Sequence, residues 1–274
     1  MVATQFIASL LFASAALARL SPASHRRAAP KPAGHTSHVV TNATSIDNTV
    51  YNGNWAGAVI SEPANTFKSI VGTFTVPGST GADGASTAWV GIDGSSCQSA
   101  LIQTGVTFSL TGGVVSYNGK LYFEISAPSA RSSPFIAAWL EYIPAAEVLY
   151  KGDISFKEGD SVTVSIEVTS ATGGTASVKN NSNGQSVTQA ISSSTPLCQQ
   201  DAEWIVEDFS SNGGEVPFGD FGTVVFTDGS ATKVDGTTVT PAGATVYDIQ
   251  QSGVDMTSSK LSDGGVTVKW VSAA

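Results

Sequence analysis

Residues 162–169 read Val-Thr-Val-Ser-Ile-Glu-Val-Thr. Apolar and polar side chains alternate strictly, so an extended chain carries all the apolar groups on one side. Residues 266–270, Val-Thr-Val-Lys-Trp, repeat the pattern. From residue 54 onward no long stretch has helical periodicity. Asn-Gly or Asp-Gly pairs punctuate the runs at 118–119, 183–184, 212–213, 228–229, 235–236 and 263–264. Such pairs suit tight hairpins, because both residues tolerate positive φ. Many short strands with frequent turns predict an all-β chain, an antiparallel sandwich or barrel.

The 274 residues carry 13 Lys+Arg against 22 Asp+Glu, a net charge of −9. An acidic balance predicts no nucleic acid and no anionic membrane as partner, since both need a basic footprint. Phe6–Leu17 is mostly apolar, too short to span a bilayer, and runs into the small-x-small sequence Ala16-Leu17-Ala18. Residues 1–18 therefore read as a signal peptide, and the protein as secreted. In that compartment Cys97 and Cys198 can form a disulfide.

Residues 19–48 differ in composition from the rest of the chain. Arg19, Arg26, Arg27 and Lys31 face one acid, Asp47, a net of +3 that leaves −12 for the remainder. With Pro22, Pro30 and Pro32 here too, the stretch reads as a pro-segment, and 49–274 as one domain. Its positive charge beside an acidic body is expected to hold it over the active site as an inhibitor until acid weakens the attraction. His25, His35 and His38, the only histidines, all lie in it. A mature chain without them has no Ser-His-Asp triad, no Cys-His pair and no His-ligated metal. No metal constellation is present and no cofactor is expected. Asn42 and Asn180 each begin a glycosylation sequon.

Four predicted strands, around 87–93, 100–106, 138–143 and 202–208, have one apolar face and one unusual face. The unusual faces carry Trp89, Gly91 and Asp93; Leu101, Gln103 and Gly105; Trp139, Glu141 and Ile143; Glu203, Ile205 and Glu207. Aromatic walls around a few polar groups suit a cleft that binds a polymer.

The ordered runs Asn54-Trp-Ala-Gly57, Thr87-Ala-Trp-Val-Gly-Ile-Asp-Gly94, Cys97-Gln98, Leu101-Ile-Gln-Thr-Gly105, Trp139-Leu-Glu-Tyr142, Leu197-Cys198, Ala202-Glu-Trp-Ile-Val-Glu-Asp-Phe209 and Val216-Pro-Phe218 resemble the glutamic peptidases (eqolisins) of filamentous fungi. The resemblance implies a double antiparallel β-sandwich of concanavalin or jelly-roll type with a concave substrate cleft. It places the family's catalytic glutamine on Gln103 and its glutamate on Glu207. Trp89, Asp93, Trp139 and Glu141 match substrate-binding cleft positions, and Cys97 and Cys198 the family's disulfide. The chain departs from the pattern at Thr107 and Ala137, where a carboxylate is usual, and at Ile143, where a tyrosine is usual. It also carries extra residues around 118–136, read as an extended hairpin or as translated intron sequence.

The mechanism this implies is acid endopeptidase chemistry without a covalent intermediate. Glu207 is the expected general base on a water and returns the proton to the leaving amine. Gln103 donates to the developing oxyanion and does not titrate, so its role survives in acid. The expected partners are protein or peptide substrates, bound by a monomer. The rival readings are a β-sandwich glycoside hydrolase using Glu141 and Glu207, and a secreted binding module without chemistry. Glu203 and Asp208 read as structural or rim groups, and Asp93 as a ligand either of substrate or of a turn backbone.

Overall fold

The structure is a computed structural model that describes residues 35–36, 39–41, 44–46, 48–111, 114–116, 138–211 and 214–272. The signal sequence 1–18, most of the 19–48 segment, the 118–136 stretch, Ala137 and the Asn42 sequon lie outside these residues.

Two large sheets face each other. The first has the spatial order Val148–Leu149, Ala138–Ile143, Leu101–Thr111, Gly84–Ile92, Asp201–Glu207, Trp55–Ser61, Thr245–Gln251, Thr49–Asn52, Thr44–Ile46. The second runs Ser186–Ser192, Gly173–Asn180, Ser161–Ser170, Phe67–Thr75, Thr223–Lys233, Gly265–Trp270, Thr257–Ser262. Ladders among the described strands are antiparallel except one: Thr245–Gln251 runs parallel to Thr49–Asn52. The only helical element described is the short 3-10 turn Pro241–Gly243. This is the β-sandwich that the alternation predicts.

Val162, Val164 and Ile166 are buried while Thr163 and Ser165 are half-exposed, and Val266 and Val268 follow the same rule. These side chains join Val90, Ile92, Ile102 and Trp204 from the first sheet in one apolar core between the sheets. Burying each such aliphatic side chain contributes about 1.5–3 kcal/mol. Of the expected hairpin turns, Asp228-Gly229 is instead a bulge inside Thr223–Lys233, where the ladder to Phe67–Thr75 shifts register and Asp228 has φ 51°. Asp263-Gly264 does turn a hairpin, with φ 72° at the glycine.

Trp204 sets the orientation of its strand. Its indole is fully buried in the inter-sheet core and donates to the Val71 carbonyl at 2.9 Å across the interface. The facing position is Gly72, where a Cβ would lie 2.8 Å from Trp204 Cδ1, so only glycine admits the ring. With Trp204 turned into the core, the pleat turns Glu203, Ile205 and Glu207 to the opposite face.

Candidate active site

The opposite face of the first sheet carries a second apolar cluster: Val40, Trp55, Val59, Trp89, Leu101, Trp139, Ile205 and Tyr247. Trp55 and Trp89 meet edge to face, with centroids 4.9 Å apart. Polar groups sit within this cluster at positions set by strand register.

Gln103 stands opposite Glu141 on one neighbouring strand and opposite Gly91 on the other. Gly91 in turn stands opposite Glu203. One row across four strands therefore reads Glu141, Gln103, Gly91, Glu203. The next reads Trp139, Gly105, Trp89, Ile205, and the one beyond it holds Thr107, Thr87, Glu207 and Trp55. The middle row walls the face with two indoles, and the glycine between them adds no side chain.

Gln103 is fully buried, and its Nε2 donates to Glu141 Oε2 at 2.9 Å. Its Oε1 is buried with no hydrogen-bond partner. Unsatisfied buried oxygens are rare enough to need a reason, and an incoming water or substrate is one. Glu207 accepts a hydrogen bond from Trp89 Nε1 at its Oε2, 2.9 Å away. In the same row Thr107 Oγ1 accepts from Trp139 Nε1 at 3.1 Å. Thr107, which departs from the family's carboxylate, therefore still supplies an acceptor oxygen.

Gln103 and Glu207 share one sheet and one face. Glu207 is opposite Thr87, four residues along the strand from Gly91, and one strand, Gly84–Ile92, lies between it and the strand of Gln103, two inter-strand spacings away. At about 3.3 Å per residue and 4.8 Å per strand, their Cα atoms are about 16 Å apart. Each side chain reaches about 5 Å from its Cα, so the two approach a common water only where both lean toward each other along the face.

Glu203 shares the face but has different surroundings. A Cβ on Gly91 would lie 3.2 Å from Glu203 Oε2, 3.0 Å from Leu101 Cδ1 and 2.7 Å from Trp89 Cζ3. The carboxyl is thus packed against the tryptophan and the leucine over the glycine. It is fully buried, and neither oxygen has a hydrogen-bond partner. Burial, with the charges of Asp201 and Asp93 nearby, holds it well above the usual carboxylate range. Alternation alone does not separate Glu203 from Glu207. Their surroundings do, because only Glu207 has an indole N–H aimed at it.

Asp93 follows Gly84–Ile92, at a position the sequence leaves open between substrate and a turn backbone. Its carboxylate accepts the backbone N–H groups of Gln199 at 2.8 Å and Gln200 at 2.9 Å, so it binds a turn backbone. Burial pushes its carboxyl up, against the pull of those two bonds. Asp201, which the sequence does not single out, accepts from Ser61 Oγ at 2.7 Å, Ser96 N at 2.8 Å and Cys97 N at 3.0 Å. Beside them Cys97 and Cys198 form a disulfide, Cα atoms 6.1 Å apart. Together these contacts lock the loop after Gly84–Ile92 to the entry of Asp201–Glu207, and so fix the register of the two strands. Trp55 and Tyr247 belong to the same apolar cluster, although the sequence pattern does not mark them. The Tyr247 hydroxyl bonds Ser95 Oγ at 2.8 Å. The one group of His, Cys, Asp and Glu with metal-like spacing among the described residues is Asp93 with the two disulfide cysteines, whose sulfurs are already bonded to each other.

Comparison with known proteins gives a consistent result. The Peptidase A4 family pattern matches residues 53–129 and 125–270, two pieces that meet inside the 118–136 stretch. Aspergillopepsin-2 of Aspergillus niger is 37% identical over 297 residues, covering 95% of this chain and 96% of that protein. Scytalidopepsin B of Scytalidium lignicola is 35% identical over 228 residues, covering 80% and 78%. The crystal structure of scytalido-glutamic peptidase with a peptide-based transition-state analog superposes with a TM-score of 0.66 at 34% identity, covering 80% of this chain and 98% of that one. The chain belongs to the Peptidase A4 family and is a glutamic peptidase, an eqolisin.

Proposed function

We propose that this chain is a secreted acid endopeptidase in which Gln103 and Glu207 hold and activate one water. The observation that supports this best is the buried, partnerless Gln103 Oε1 on the face where Trp89 orients Glu207. The water donates one hydrogen to Gln103 Oε1 and the other to ionised Glu207, leaving a lone pair for the peptide carbonyl. Glu207 takes the proton as the water attacks and returns it to the leaving nitrogen. One Gln103 N–H is spent on Glu141; the second is available to the developing oxyanion. Glu141 holds the carboxamide in this orientation, and Trp89 and Trp139 form the walls. Glu203 is a neutral, buried neighbour that takes no part in the proton transfers.

The experiment is peptidase activity of Gln103→Ala, Glu207→Gln and Glu203→Gln on denatured protein at acid pH, each in folded protein. The first two are expected to lose about a hundredfold or more in kcat. Glu203→Gln is expected to retain most activity. Full activity in Glu207→Gln, or loss in Glu203→Gln alone, moves the carboxyl role to Glu203. A retaining glycosidase needs two carboxyls about 5–5.5 Å apart. Glu141 and Glu207 sit three strands and four residues apart, roughly 20 Å at the backbone. Even extended toward each other, their carboxyls stay about 10 Å apart.

The precursor reading is part of the same proposal: residues 1–18 direct export, and 19–48 form a pro-segment removed from the mature enzyme. Exposed Asn48, at φ 65° in the hairpin between Thr44–Ile46 and Thr49–Asn52, offers an accessible turn near the boundary. Among the described residues no helix is long and apolar enough to cross a membrane.

A further inference from the structure

Val39–Thr41 lie against this same face of the first sheet and are held mainly through their backbone, with the Thr41 hydroxyl adding a bond to Asn54 Oδ1 at 3.0 Å. Val40 N donates to Gly94 O at 3.2 Å, and Gln98 Nε2 donates to Val40 O at 3.2 Å. Asn54 grips both flanks: its Nδ2 donates to Val39 O at 3.4 Å, and its Oδ1 accepts Thr41 N at 3.1 Å. Gly53 N donates to Thr41 O at 3.0 Å. The Val40 side chain is buried in the cluster with Trp55, Trp89 and Tyr247. Five contacts thus engage main-chain groups of three consecutive residues, and the one apolar position fits an aliphatic side chain.

We propose that Asn54, Gly94 and Gln98 form a peptide-backbone clamp, a substrate subsite that selects an aliphatic residue and is occupied here by the chain's own Val40. The inference rests on the peptidase reading and deepens it. Every gripping group is a backbone amide, a carbonyl or a carboxamide, so the clamp does not titrate in the acid range. A segment held this way leaves by being cut, not by loss of charge attraction. The clamp is tied to both halves of the site. Asp208 N, one residue past Glu207, donates to Asn54 O at 2.9 Å. Gly94 is three residues from Gly91, which stands opposite Gln103. The scissile bond would lie between the rows of Gln103 and Glu207, about two residues past Gly91; the roughly five residues from Gly94 span at most about 18 Å, so a clamped peptide places its aliphatic residue within about five positions of the scissile bond.

The test uses the full chain and a dye-labelled peptide with the sequence of residues 36–44, followed by fluorescence anisotropy in a Gln103→Ala background to prevent cleavage. The parent chain fills its own clamp and is expected not to bind. Val40→Asp vacates the clamp and is expected to bind. Adding Gln98→Ala to Val40→Asp weakens binding about tenfold, and a peptide with Asp at the Val40 position does not bind. Equal binding by parent and Val40→Asp, no binding by Val40→Asp, or an affinity unchanged by Gln98→Ala each overturns the clamp. Hydrogen exchange of the unaltered chain gives a second measure should Val40→Asp misfold. Val40 and Thr41 amides are expected to be protected and to lose protection in Gln98→Ala; fast exchange in the unaltered chain overturns the proposal. A protein that binds the peptide but cleaves no protein, with Gln103 restored, retires the peptidase reading and leaves the clamp standing.

Discussion

Trp89→Phe is the sharpest perturbation available. It removes the indole N–H that meets Glu207 Oε2 at 2.9 Å and keeps an aromatic ring against Trp55. A hydrogen bond to a charged group contributes about 1.5–3 kcal/mol. If that bond is what aims the carboxylate at the water, its loss lowers kcat by a factor of about 10 to 150. The smaller ring also leaves a void among buried neighbours, which costs about 1–2 kcal/mol more of stability. The expected result is a folded protein whose Tm falls by several degrees and whose kcat falls at least tenfold. Trp139→Phe is the control, because its N–H bonds Thr107 and not Glu207. It is expected to raise KM with little effect on kcat. The assay is kcat and KM on a quenched peptide at acid pH, with thermal melting and near-UV circular dichroism alongside. Native-like spectra with an unchanged kcat in Trp89→Phe would mean that Glu207 needs no orienting bond, and the positioning argument would be wrong.

Gly91→Ala puts a methyl 2.7 Å from Trp89 Cζ3 and 3.0 Å from Leu101 Cδ1, so the indole must shift. An overpacking cost of about 1–3 kcal/mol is expected, with a lower kcat because the shifted ring carries the bond to Glu207; melting and kinetics check both. Thr107→Val removes the acceptor 3.1 Å from Trp139 Nε1. It is expected to cost about 1 kcal/mol and to raise KM more than it lowers kcat, whereas Thr107→Asp supplies an acceptor and keeps KM low; steady-state kinetics decide. Asn180, fully buried, donates to Ser155 O at 2.7 Å and Asp160 Oδ2 at 2.8 Å. Peptide mapping of the protein expressed through a fungal secretory pathway is expected to find Asn180 without a glycan despite its sequon, and a glycan there in folded protein contradicts the packing. Burial raises the carboxyls of Glu203, Asp93 and Asp248, so the folded chain holds these protons more tightly than the unfolded one. Their contribution is complete below the unfolded values of about 4 and is lost as pH rises through the folded ones. Tm is therefore expected to fall between pH 3 and pH 7, with a shallower fall in Glu203→Gln; a Tm that climbs over that range sinks the assignment.

The sandwich was legible because alternation is local: Val162, Val164 and Ile166 announce their burial without knowledge of their neighbours. The same period of two put Gln103, Glu203 and Glu207 on one face and could not go further. Which carboxyl is oriented and which is smothered depends on what each one touches. Those contacts depend on register, and register here is set by groups distant in sequence. Asp93 reaches Gln199 and Gln200, Asp201 reaches Ser96 and Cys97, and the disulfide spans a separation of 101. For the same reason the backbone-binding task of Asp93 was not readable from its place on a strand. Asp228-Gly229 misled in a simpler way: φ above zero serves a bulge as well as a turn. Gly91 was a usable clue. A glycine inside an otherwise β-rich strand often marks where something else must approach closely, and here that is the Trp89 ring.

The chemistry of the site depends on which of its groups can change charge. Two glutamates, Glu203 and Glu207, lie on one face of one strand. Glu203 has burial and two nearby carboxylates against its ionisation, and no bonded donor to favour it. Kept neutral in acid, it adds no second negative charge beside the cleft and does not compete for the water's hydrogens. In the proposed mechanism that leaves Glu207, which accepts the Trp89 N–H, as the carboxyl that exchanges a proton with the water. Gln103, its proposed partner on the same face, is neutral throughout and is held by its bond to Glu141. A lysine or histidine in that place would favour the charged carboxylate and make it a poor proton donor. A carboxylate in place of Gln103 would offer no N–H to the oxyanion once ionised. A carboxamide has neither fault, so the proposed pair needs only one titrating group in contact with the water to operate at acid pH.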